Sequence, residues 1–195
     1  MQWEQMVMDQ VAQLTDIDMV RAESIPQIDL YMEQVLAFFD KQLDPKRNMA
    51  ETFALTKTMV NNYVKAGVLP PARKRKYGHD HMIRLLYVTL LKSVLSIQEI
   101  GQMLALTPDA SDPAQQERTY EVFRQMVDGY RAWFHKHTQH RIEQVHAHLA
   151  ANGPVDVRQE QMLFLALTAM EATAQKALCV ELLKQLPHPQ KPAKK

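Results

Sequence analysis

A chain of 195 residues is long enough to bury one core or two small ones, and a net charge of +1 argues, on its own, against a nucleic-acid partner. The single cysteine, Cys179, excludes an internal disulfide framework and a multi-thiolate metal centre. Five glycines set against abundant Ala, Leu, Met, Gln, Glu and Lys point to an all-α fold.

Apolar spacing predicts a short helix over residues 2–14, followed by a linker to residue 24. The start, MQWEQMVMDQ, has no basic or apolar leader region, so no secretory signal is expected. Ile25-Pro26 marks a boundary, because a residue before proline avoids the α region. Over 29–43 the positions Met32, Val35, Leu36, Phe39 and Leu43 share one helical face. Asp44-Pro45 stops that helix, and 44–54 reads as a loop.

Thr56 is a fitting N-cap for a helix over 56–66. Gly67 stands where a left-handed C-cap residue belongs, and Pro70-Pro71 bars continuation. The stretch ARKRKYG that follows predicts an exposed loop or short hairpin. Residues 81–94 are apolar almost all round, which calls for a central buried helix. Ser96 with Glu99 three residues on forms a capping box for a further helix, with Ile97, Ile100, Met103 and Leu104 facing inward.

TPDASDP at 107–113 separates a head, 25–106, from a helical region, 112–186. A long helix is expected over 114–150, where Tyr120, Phe123, Val127, Tyr130, Phe134, Ile142, Val145 and Leu149 recur at steps of three and four. Only Thr138 lies between Phe134 and Ile142, a stutter in the pattern. Asn152-Gly153-Pro154 ends it. The last helix, 155–186, is apolar on most sides and is expected to be buried, in part by another subunit. Residues 187–195 read as a disordered tail. No apolar run, including 162–170, is expected to cross a bilayer. A cytoplasmic protein without membrane contact follows.

The charge is unevenly placed. Residues 46–92 hold ten Lys/Arg against Glu51 and Asp80, a net of +8, and the remainder carries a net of −7. A basic module inside an acidic protein suits phosphates. On the predicted helix 56–66, Lys57, Thr58, Asn61 and Asn62 form an exposed polar face for base edges, and asparagine can bond adenine in a bidentate manner. Lys65, Arg73, Lys74, Arg75 and Lys76 would hold the phosphates of double-stranded DNA. A cationic loop alone is often only a solvated loop, and a polar helix only a surface helix; the two in this order, within the charge asymmetry, favour DNA binding.

Those residues carry a resemblance. Residues 54–104 resemble the winged helix-turn-helix head of the MerR family of bacterial transcription regulators, through Tyr63, Gly67-Val68-Leu69-Pro70-Pro71, the basic stretch Arg73–Tyr77 and Ser96-Ile97-Gln98-Glu99-Ile100. More closely, IPQIDLYMEQV at 25–35 with LTKTMVNNYVKAGVLPP at 55–71 is similar to an uncharacterised Gram-positive family, domain of unknown function eighteen thirty-six. The resemblance implies a winged helix-turn-helix head followed by a dimerisation helix, and a regulator, a repressor being the expected direction. It also shows departures. Asn61-Asn62-Tyr63 replaces the usual Arg-Tyr-Tyr, the first helix lies farther from the recognition helix, and the wing is short.

The long helix suits pairing with its counterpart in a homodimer, the alternative being an intramolecular hairpin in a monomer. His135, His137, His140, His146 and His148 cluster on it. His137 and His140 are i, i+3 neighbours, but surface histidines explain them more simply than metal or pH sensing. Methionines around 162–170 are ordinary core filler before they are an effector pocket, so a small-molecule effector lacks support, and Cys179 reads as an inert core thiol. No cofactor, metal or enzyme motif is found: there is no Gly-rich phosphate loop, HExxH or nucleophile elbow. The expectation is a sequence-specific, dimeric DNA-binding regulator. The alternative is a helical protein–protein adaptor with a helix-turn-helix-like fold and no DNA readout.

Overall fold

A computed structural model describes residues 2–15, 19–42, 55–107 and 112–186. Among them are seven α-helices: α1 (Gln2–Leu14), α2 (Met32–Gln42), α3 (Lys57–Lys65), α4 (His79–Leu91), α5 (Ile97–Leu104), α6 (Pro113–Ala150) and α7 (Val157–Gln185). Two short strands, β1 (Leu30–Tyr31) and β2 (Lys76–Tyr77), pair antiparallel with Leu30 opposite Tyr77 and Tyr31 opposite Lys76. The fold is all-α apart from this ribbon. The expected loop 44–54, Leu43 and the tail 187–195 lie outside the described residues.

The chain divides into two compact units, one of residues 1–17 and 126–179, the other of 18–125 and 180–195. In the second unit α4 is the hub. Its Met82, Leu85, Leu86 and Val88 are at most 2% exposed, as expected of a helix apolar on every side. Val35 and Phe39 of α2, Val60 of α3 and Ile100 and Leu104 of α5 are buried with it. Tyr120 of α6 is fully buried, and its hydroxyl donates to the Val20 carbonyl at 2.7 Å. Burial raises its pKa far above the ordinary value, so it remains a donor.

The caps show why these helices start and stop where they do. The Met59 N–H donates to Thr56 Oγ1 at 3.2 Å. Gly67 adopts φ +74°, and the Val68 N–H reaches back to the Tyr63 carbonyl at 2.9 Å, closing α3 through a left-handed turn. At α5 the box is reciprocal: the Glu99 N–H donates to Ser96 Oγ at 3.3 Å, and the Ser96 N–H to Glu99 Oε2 at 2.7 Å.

In the first unit Trp3, Ile142 and Phe164 form a buried cluster, with Trp3 edge-on to Phe164 at 5.7 Å. Glu160, 4% exposed, accepts from Trp3 Nε1 at 3.3 Å and is bonded to His146 Nδ1, which ties α1, α6 and α7 together. Thr138, the residue at the stutter, is buried here.

Within one chain only a stripe of α7 is buried, including Glu160 and Phe164, while Met162, Leu165, Met170 and Leu178 are 58–69% exposed. The helix is, by length and composition, apolar enough to cross a membrane, which corrects the expectation that no apolar run could. Glu171 does not interrupt it as an isolated charge would, since Arg141 of α6 pairs with that carboxylate.

Candidate nucleic-acid interface

The polar face expected on α3 is formed. Lys57, Thr58, Asn61, Asn62 and Lys65 are all exposed, while Val60 and Tyr63 face the core at 0% and 7% exposure. Spacing of three and four residues produces this division without help from the neighbours. Burial pushes the Tyr63 phenol up, so it is an uncharged anchor beneath that face.

The basic stretch is a two-residue hairpin. Arg73 and Lys76 exchange N–H···O bonds of 2.9 Å in both directions, and the residues between them, Lys74 and Arg75, have φ of +50° and +65°. Tight hairpins of this hand usually carry Asn-Gly at those positions, because side chains disfavour positive φ. Here two long cations occupy them. The β1–β2 ladder fixes the base of the hairpin.

The four cations are not equivalent. Lys74 and Arg75 stand exposed at the tip. Lys76 is half-buried, its Nζ 5.0 Å from the centre of the Tyr31 ring. Arg73 is exposed but lines a polar cavity of about 260 Å³ with Asp29, His79 and Asp80. From sequence all four look alike, since nothing in the run Arg-Lys-Arg-Lys reveals which side chains face neighbours.

The polar support behind the hairpin is equally hidden in the sequence. His81, 1% exposed, accepts the Gly78 N–H on Nδ1 at 3.1 Å, and its Nε2 lies 3.2 Å from the Pro70 carbonyl. The ring meets Tyr77 edge-on at 5.4 Å. One imidazole thus joins the Pro70 turn, strand β2 and the start of α4. Asp80 Oδ1 sits 2.9 Å from the same Nδ1. Burial pushes the Asp80 carboxyl up, but its contacts with His81 and the charge of Arg73 outweigh burial and hold the group below its ordinary value. A histidine at the head of an apolar helix is the one signal of this arrangement that the sequence carries.

His81→Ala removes both bonds and the ring packing from a buried position. We expect a loss of about 2–4 kcal/mol of stability, from unpaired buried groups and a cavity together. Urea denaturation measures it; a loss under about 0.5 kcal/mol would show that water replaces the ring without cost.

The histidines of α6 fall apart as a set. His137 lies 2.9 Å from Glu171 and His146 pairs with Glu160, while His140 is 3.9 Å from Glu143. No group of three or more His, Cys, Asp or Glu placed to hold a metal occurs among the described residues.

A family model described as "Domain of unknown function (DUF1836)" matches residues 20–123, a span containing the β1–β2 ribbon, α2 to α5 and the start of α6. No curated protein and no solved structure matches the chain.

Proposed function

We propose that this chain, which belongs to the DUF1836 family, is a sequence-specific DNA-binding transcription regulator. In this reading it acts in the cytoplasm as a homodimer, and as a repressor. One observation carries it most: Lys74 and Arg75 hold positive φ at the tip of a pinned hairpin, and α3, which precedes it in the chain, exposes Lys57, Thr58, Asn61, Asn62 and Lys65. Residues in strained backbone persist where the strained geometry serves a purpose, and here it raises two cations clear of the surface. Phosphates are the matching partner.

In this reading Asn61 and Asn62 contact base edges, with Lys57 and Thr58 beside them. Lys65 and the hairpin cations hold the backbone and supply the salt dependence. The function is binding, not catalysis.

The test is to incubate the purified protein with fragmented genomic DNA from its source and sequence what it retains, with Asn61→Ala and Asn62→Ala beside it. Wild type should enrich a few short palindromic sites. The asparagine variants should still bind but lose discrimination by about 1–3 kcal/mol at one base position each. Equal weakening on every sequence would remove them from base readout, and no enrichment by wild type would remove the regulator.

The exposed apolar side chains of α7 favour protein association as well. They fit a dimeric regulator, and they also fit a helical adaptor without DNA readout. Capture of one stoichiometric protein, unchanged by nuclease, would select the adaptor.

A further inference from the structure

A cavity of about 430 Å³ lies among α1, the middle of α6 and α7, within the size range of small-molecule sites. The slot's lining is of two kinds. Val7, Val11 and Leu14 of α1 are aliphatic. Tyr130, Trp133 and Phe134 of α6 are neighbouring aromatic rings. Tyr130 lies 5.2 Å from Trp133 and 5.6 Å from Phe134 between ring centres, and Trp133 stacks on His137 at 4.7 Å and 10°. His137 covers one face of Trp133 and Phe134 stacks on Tyr130, yet Tyr130 and Trp133 remain 44% and 47% exposed, so part of each ring stays uncovered. Aromatic faces exposed in a concave site accept flat rings by offset stacking.

The polar end of the slot decides the charge of what enters. Arg141 donates through Nη1 to Thr168 Oγ1 at 3.1 Å and through Nη2 to Glu171, whose other oxygen lies 2.9 Å from His137 Nε2. Each full charge is matched by its neighbour. An anionic ligand would have to displace Glu171 from Arg141, and a cationic one Arg141 from Glu171, each leaving a charge unpaired. Gln10 and Gln175 line the same cavity and offer uncharged donors and acceptors.

The slot is not the surface on which a second copy of α7 would lie. Phe164, Thr168, Glu171 and Gln175 line the cavity, and at helical spacing Met162, Ala166, Met170 and Ala177 fall on the opposite stripe.

We infer that this cavity binds a neutral, planar aromatic small molecule carrying a hydrogen-bonding group, stacked on Tyr130 and Trp133 with its polar end toward Arg141, Glu171 and Thr168. The site does not depend on the regulator reading, and it would serve an adaptor equally.

Isothermal titration of the full chain with 2-naphthol, 2-naphthoate and 2-naphthylmethylammonium tests it. Naphthol should bind saturably, one per chain, and each charged analogue should bind about tenfold or more weaker. Ala172→Phe places a ring in the slot from an exposed position, so it should weaken naphthol by about tenfold or more with the melting temperature unchanged. Saturable naphthol binding abolished by Ala172→Phe supports the site. Absence of saturable heat, tighter binding of either charged analogue, or full retention of binding by Ala172→Phe each overturns it.

Discussion

Converting Lys74 and Arg75 to Asn and Gly is expected to stabilise the protein and, at once, to weaken the DNA binding proposed for it. Both native residues sit at positive φ, a conformation costing a side-chain-bearing residue roughly 1–2 kcal/mol that glycine, and in part asparagine, avoids. The Asn-Gly pair is what such a hairpin prefers, so about 1–2 kcal/mol should return as stability. The same change removes the two exposed cations at the hairpin tip. The slope of log affinity against log salt should fall by about 0.9 for each phosphate left without its cation. At moderate salt the affinity should drop about ten- to a hundredfold on every sequence alike.

Arg73→Ala with Lys76→Ala should do less, since Lys76 already lies over Tyr31 and Arg73 shares a polar cavity with Asp80. Replacing all four by Ala should therefore exceed the tip pair only modestly, and it should not raise stability, because alanine keeps the strained φ. Denaturation curves and salt-series binding on the same preparations read both quantities. Stability and DNA affinity rising together in the Asn-Gly variant would remove the hairpin from the interface.

That asymmetry between the four cations shows where the sequence stops being legible. Thr56, Gly67 and the Ser96–Glu99 pair act within a few residues of themselves, so α3 and α5 can be bounded from local chemistry. The exposed face of α3 follows from its periodicity alone. β1 does not: the expected helix 29–43 runs through Leu30 and Tyr31, and they become a strand only through Lys76 and Tyr77, far along the chain, so the helix starts at Met32. The hairpin is expected only as one of two forms, an exposed loop or a short hairpin, because its two central positions carry none of the residues that normally announce the turn. His81, Glu160 and Glu171 owe their roles to partners on other elements, which no spacing rule reaches. For α7 composition indicates the need for cover but not its source.

Met170→Glu with Ala166→Glu is expected to turn a dimer into monomers. Both positions are exposed within one chain, on the stripe of α7 opposite Phe164, Thr168 and Glu171, so neither change removes intrachain packing. Met162 and Met170 are 58% and 69% exposed, and the alanines between and beyond them permit close approach of a second helix. A stable interface buries about 800 Å² per partner, which an exposed apolar helix of this length can supply. A bilayer is the rival cover for such a helix. Yet the unit of residues 1–17 and 126–179 holds five Lys/Arg against eight Asp/Glu, a balance that anionic lipid surfaces repel.

Light scattering should find the wild type dimeric and the double variant monomeric, with helical content kept. On a palindromic site the variant should bind about a hundredfold or more weaker, without the effective concentration of its second head, while its affinity for a single half-site stays the same. A wild type monomeric at micromolar concentration would end the dimer. Sedimentation of that monomer with anionic vesicles would give α7 to the membrane. Dissociation without any change in palindrome binding would leave the dimer intact as a structure but detach it from DNA recognition.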